Sequence, residues 1–133
     1  MKKNTDLGLL ILRITLGGLM LFHGVAKIVH GIEGIQNMLI NKGLPGFFAY
    51  GVFIGEIIVP ILLILGFRTR VAALIFAFNM LVAMILAHSG DVFSISKHGG
   101  WAVELIALFL FGSLALFFTG GGKYALSKSN NWD

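Results

Sequence analysis

Residues 47–65 read FFAYGVFIGEIIVPILLIL, an unbroken apolar run with one charge, Glu56, and one proline, Pro60. A helix rising about 1.5 Å per residue crosses a ~30 Å hydrocarbon core in about 20 residues. Apolar and polar positions do not alternate, so the spanning element expected is a helix and not a barrel strand. Similar runs lie near Leu7–Ile28, Val71–Ala87 and Trp101–Phe118. The sequence therefore predicts a single all-α domain over residues 1–133, an integral membrane four-helix bundle.

Composition agrees. The chain is 57% hydrophobic and 12% charged, with a mean hydropathy of +0.92. A soluble domain carries about 25% charged residues, so the surplus apolar surface must face membrane lipid. There is no cysteine. That excludes disulfides, cysteine-ligated iron–sulfur clusters and covalent c-type haem within this chain.

The net charge of +4 comes from basic residues at the ends of apolar runs, not from a stripe. No nucleic-acid partner is expected; the charges report topology. Lys2, Lys3, Arg68, Arg70, Lys123 and Lys128 fall on one side, Lys42 and Lys97 on the other, with Lys27 at the border. The richer side should be cytoplasmic, which places both termini there and the protein in a bacterial inner membrane. Lys2-Lys3 before an apolar run imitates a signal peptide. The run is too long, contains Arg13 and lacks a small-x-small cleavage pattern, so it reads as the first span. Thr119-Gly-Gly-Gly-Lys123 lacks the spacing of a phosphate loop and reads as a helix terminator. The connections read as a longer loop over His30–Gly46, a tight turn over Gly66–Arg70 and a polar loop over His88–Gly100.

Six ionisable residues fall inside or at the edges of the spans: Arg13, His23, Lys27, Glu56, His88 and Glu104. A charged residue at the bilayer centre costs about 2.5–3.5 kcal/mol on insertion scales. They must pair or be used. At about 100° per residue, Arg13, Gly17, Met20, Gly24 and Lys27 share one face of span one, and its glycines permit close helix approach. That face should turn inward. Gly51-x-x-x-Gly55 repeats the close-approach pattern before Glu56. Pro60 lacks the N–H that would bond the carbonyl of residue 56, so span two is expected to bend there. By depth, Arg13 could reach Glu56. His23, Lys27, His88 and Glu104 lie toward the outer side, where they would line a cavity. The alternative is structural: Arg13 with Glu56, and Lys27 with Glu104, as ion pairs holding the bundle together.

In order along the chain come Arg13-x-x-x-Gly17, Phe22-His23-Gly24-x-x-Lys27, Gly55-Glu56, Pro60 and Leu62-Leu63-x-Leu65-Gly66-x-x-Thr69-Arg70. Trp101-x-x-Glu104 and Gly120-x-Gly122-Lys123-Tyr124-Ala125-Leu126-Ser127 follow. This set resembles the DoxX family of small four-helix membrane proteins across nearly the whole chain. The family is named for a subunit associated with quinone-linked oxidation of thiosulfate. The resemblance implies a membrane redox role, quinone binding and an oxidoreductase partner. Family tails often end in Ser-Leu-Asp; here Ala125-Leu126-Ser127 stands in that place.

Three functions fit these residues ahead of a transporter, for which four helices are few unless the protein oligomerises. In the first, a quinone or quinol is held in the polar chamber, with His23 on a carbonyl and Lys27 supplying positive charge. Glu56 or Glu104 would then move protons, and Arg13 would hold Glu56. In the second, His23 and His88 ligate one haem from two helices. In the third, the chain is a non-catalytic anchor or assembly subunit for a soluble oxidoreductase. Asn79 is expected only to hydrogen-bond a neighbouring helix. The glycine-rich faces allow a homo-oligomer.

Overall fold

The computed structural model describes residues 3–133. These residues are helical and irregular, with one isolated antiparallel bridge between Ile95 and Trp101. Helix α1 spans Thr5–His30 and α2 spans Glu33–Asn41. Helix α3 runs continuously over Gly46–Leu65, α4 over Thr69–Ala87 and α5 over Glu104–Thr119. Helices α1, α3 and α4 are long and apolar enough to cross a membrane. Helix α5 is apolar but has 16 residues, about 24 Å at the usual rise.

Two boundaries differ from expectation. The 30–46 segment was expected as loop, yet it contains α2. Ile32, Ile35 and Leu39 recur at helical spacing and pack against Ala49, Val52, Phe53 and Leu86. The glycines flanking that short pattern hide it from a sequence reading. The last span was expected from Trp101, but α5 starts at Glu104. Trp101 belongs to the ordered 88–103 loop, where its indole N–H donates to the Val92 carbonyl at 2.6 Å.

The main core draws on four helices: Leu16 and Met20 of α1, Val59 and Leu63 of α3, Ala72, Ala73, Phe76 and Met80 of α4, and Phe109 and Leu116 of α5. The buried face of α1 is Arg13, Leu16, Gly17, Met20 and Gly24, as its helical spacing predicts. Gly17 is required there. A β-carbon at that position would sit 2.7 Å from the Pro60 carbonyl, and one at Gly24 would strike the Glu56 carbonyl. Thus α1 lies against the backbone of α3. Ile11, Phe22, Ile58, Phe78, Leu108 and Phe111 remain exposed. They form the lipid-facing surface that a membrane bundle needs.

The response of α3 to Pro60 is a π turn over Ile54–Ile58, with the Val59 N–H bonded to the Ile54 carbonyl. A proline removes one donor from the ladder, and a wider turn re-registers the bonds around the gap. The Glu56 carbonyl, which Pro60 cannot bond, lies against Gly24.

At the end of the bundle holding residue 3, the chain after α5 folds back. Lys123 donates its N–H to the Asp6 carboxylate at 2.8 Å, so the two ends of the chain meet. Lys2, counted with this basic end, lies outside the described residues.

Candidate functional site: a cleft between α2, α3 and α4

A cleft of about 650 Å³ opens between α2, α3 and α4 and reaches Lys27 of α1. Its walls are mostly aliphatic and aromatic, including Met38, Leu39, Phe48, Ile54, Phe78 and Leu86. Lys27, Glu56, Asn79 and His88 supply the polar side chains. Glu56 and Asn79 each lie about ten residues from the start of their helices. At about 1.5 Å per residue both are near mid-depth. His88, just past α4, marks the far mouth.

The Lys27 ammonium pairs with the Glu56 carboxylate. This corrects both expected pairings. Arg13 does not hold Glu56, and Lys27 does not hold Glu104. The reason is depth: Gly24 packs against the backbone at Glu56, so Lys27, three residues on, stands beside the carboxylate, whereas Arg13 lies eleven residues, about 16 Å, further down α1. Glu56 is buried, and Lys27 is partly open to the cleft.

Of the residues singled out from sequence, Lys27, Glu56 and His88 come together around this cleft. Arg13, His23 and Glu104 do not. His23 is exposed, contacts the Leu19 carbonyl through Nδ1 at 3.2 Å and meets the ring of Phe109 edge-on at 6.2 Å. It therefore sits on the α5 side of α1. His88 turns to Asp91 at 3.3 Å. His88 lines the cleft and His23 does not. Glu104 is exposed at the start of α5, and its carboxylate lies beside Gly100.

Asn79 is the residue that sequence reasoning undervalued. Its Nδ2 is buried and has no hydrogen-bond partner, so it does not bridge two helices. The available signal was depth, because it stands at the level of Glu56 in an otherwise apolar helix.

Arg13 has a different task. Its Nη1 donates to the carbonyls of Leu63, at 3.2 Å, and of Ile64. Its Nη2 donates to the Tyr124 carbonyl at 2.6 Å. The last carbonyls of a helix lack intrahelical partners and carry the negative end of the dipole. Here each one finds a donor. Phe67 N–H serves Leu62, Gly66 N–H shares Leu63 with Arg13, and Arg13 serves Ile64. Leu126 N–H serves Leu65 and Ser127 N–H serves Gly66. Gly66 is left-handed at φ 71°, which closes the helix as glycine C-caps do.

Ser127 links this tail to α4. Its hydroxyl accepts the Arg68 N–H at 2.8 Å and donates to Asp133 at 2.7 Å. The bond from Ser127 is the largest influence holding the Asp133 carboxyl below the ordinary carboxylate range. Burial opposes it, and the Asn130 N–H and the Arg68 charge assist. Ser127 thus has work of its own where the family tail often carries an acid.

A family model described as DoxX matches residues 8–89. The chain is 34% identical to "Putative oxidoreductase CatD" of Bacillus subtilis over 85 residues, 64% of this chain. That match spans 63% of the relative's length. It is 31% identical to "Inner membrane protein YqjF" of Escherichia coli over 98% of both chains. It is 34% identical to an uncharacterized protein of Haemophilus influenzae, covering 90% of this chain and 88% of that one. No solved structure matches significantly. The family match covers more than half of the chain, and three apolar helices have spanning length. The chain belongs to the DoxX family and is a multi-pass protein of the bacterial inner membrane.

Proposed function

We propose that this protein binds a quinone or quinol in the α2–α3–α4 cleft and exchanges protons with it through Glu56. The observation that carries the reading is the Lys27–Glu56 pair opening onto an otherwise apolar cavity of about 650 Å³. Small-molecule sites typically measure about 300–1,000 Å³, with few polar groups on apolar walls. Such a cleft suits a flat headgroup with two oxygens and an apolar tail. Lys27 supplies a donor and positive charge beside a bound oxygen. Glu56 accepts or returns a proton while remaining next to Lys27. Electrons pass to or from a partner oxidoreductase, in keeping with the printed name of the Bacillus relative.

The direct test uses protein in quinone-free lipid nanodiscs and a decyl-tailed benzoquinone. Saturable binding near one per chain is expected, abolished when Ala83→Trp fills the cleft. Absence of saturable binding overturns the reading and leaves the non-catalytic anchor as the better account.

The proposal includes four membrane crossings with both termini cytoplasmic. Lys3, Arg68, Arg70, Lys123 and Lys128 gather at one end, against Lys42 and Lys97 at the other, which is the bias that sets orientation. The chain has no cysteine, so single cysteines report sidedness cleanly. Ser129→Cys should react only from the cytoplasm and Lys97→Cys only from the periplasm. Labelling of both from the same side rejects this topology.

A further inference from the structure

Asn79 is a buried amide donor without an acceptor. It touches Gly55, where a β-carbon would come within 2.6 Å of Oδ1 and 2.8 Å of Nδ2. Glycine at 55 therefore makes the room that the amide occupies. A buried polar group left unpaired is destabilising, and an apolar side chain of the same shape would avoid that cost. Asn79 lines the cleft, and its χ2 is a soft torsion that lets the amide turn toward a bound group.

The charges of the cleft narrow the ligand further. Lys27 is already paired with Glu56, and His88 faces Asp91. No cation among these is free for an acid or a phosphate, and Glu56 and Asp91 would repel either. A neutral headgroup with acceptor oxygens fits; an anionic lipid or a fatty acid does not.

The walls give the route. Ile54 of α3 and Ile75 and Phe78 of α4 line the cleft, yet they are 52%, 39% and 65% exposed. A residue that both lines the cavity and faces outward marks a side opening. It lies on the surface that a membrane bundle gives to lipid.

We infer that Asn79 is the specificity-determining donor of this cleft. It binds a carbonyl oxygen of a neutral, apolar-tailed ligand that arrives from the bilayer between α3 and α4. The tail lies along Ile54, Ile75 and Phe78, and the headgroup reaches inward to Asn79 beside the Lys27–Glu56 pair. The inference rests on the quinone reading of the same cleft, and it adds the group that selects the headgroup and the direction of approach.

The test compares wild type, Asn79→Leu and Asn79→Gln in nanodiscs, with the decyl-tailed benzoquinone as probe. Asn79→Leu should weaken binding about tenfold, equivalent to ~1.4 kcal/mol, while its thermal midpoint stays level or rises. Asn79→Gln, which keeps a donor, should restore most of the affinity. A carbonyl-¹³C-labelled probe should show its carbonyl stretch at lower frequency in wild type than in Asn79→Leu. Palmitate should not compete. Ile75→Trp should slow association from the bilayer. If wild type does not bind the probe, the quinone reading itself fails. If wild type binds and Asn79→Leu binds equally, only the role of Asn79 is overturned. A lower midpoint with unchanged affinity would assign Asn79 to packing. Palmitate competition defeats the neutral-headgroup claim, and an unchanged association rate for Ile75→Trp defeats the lateral route.

Discussion

Replacing Lys27 by Met should destabilise the protein by about 3–5 kcal/mol, the range found when one partner of a buried ion pair is removed. The loss comes mainly from what is left behind. The Glu56 side chain is 8% exposed, against 27% for Lys27. Without Lys27 its carboxylate has no counter-ion in a site walled by hydrocarbon. Glu56→Gln should cost less, because the remaining ammonium can turn toward the open part of the cleft. The double variant Lys27→Met/Glu56→Leu should recover most of the stability, since replacing both charges with apolar groups is often neutral or better. Unfolding in detergent, followed by helical circular dichroism, reads all four proteins. Quinone binding then separates two roles for the pair. A stable double variant that no longer binds assigns the pair to the ligand. A stable double variant that binds like wild type makes the pair structural. Single variants as stable as wild type would show that the two side chains are not coupled in the folded protein.

The broad architecture was legible because hydrocarbon imposes a simple rule: backbone polar groups must be satisfied within the helix, and the outer face must be apolar. Long runs such as 47–65 carry that rule openly. The inward face of α1 was legible as well, through the spacing of Arg13, Gly17, Met20 and Gly24. The partners of the charges were not. Sequence offers acids as partners for bases, so Arg13 was matched with Glu56. Its actual acceptors are the carbonyls of Leu63, Ile64 and Tyr124, and a carbonyl has no letter in the sequence. Proline shows the same limit. Pro60 announces a lost hydrogen bond, but only the packing of α1 shows that the Glu56 carbonyl lies against Gly24. Asn79 was visible but ambiguous: an intramembrane amide either bridges helices or waits for a ligand, and only the missing partner tells the two apart.

Arg13→Met should lower stability by roughly 2–5 kcal/mol, given about 1–3 kcal/mol for each buried carbonyl left without a donor. Two effects compete. Arg13 is 2% exposed and its Nε has no partner, so removing a buried charge offers some relief. Against this, the Ile64 and Tyr124 carbonyls lose their only donor among the described residues, and the Leu63 carbonyl keeps just the Gly66 N–H there. The second effect should win, because the guanidinium joins the end of α3 to the tail and no neighbour replaces it. Arg13→Lys should recover little. An ammonium is a point donor and cannot span acceptors on two segments as the planar fork does. The damage should also be local. The N–H groups of Leu126 and Ser127, bonded to Leu65 and Gly66, should exchange faster, and protease should cut sooner after Tyr124. Quinone binding should stay near the wild-type level, since Arg13 lies at the opposite end of α1 from the cleft residue Lys27. Loss of binding with an intact tail would return Arg13 to the ligand site. A tail protected as in wild type would show that the three carbonyl bonds do not hold this end of the bundle closed.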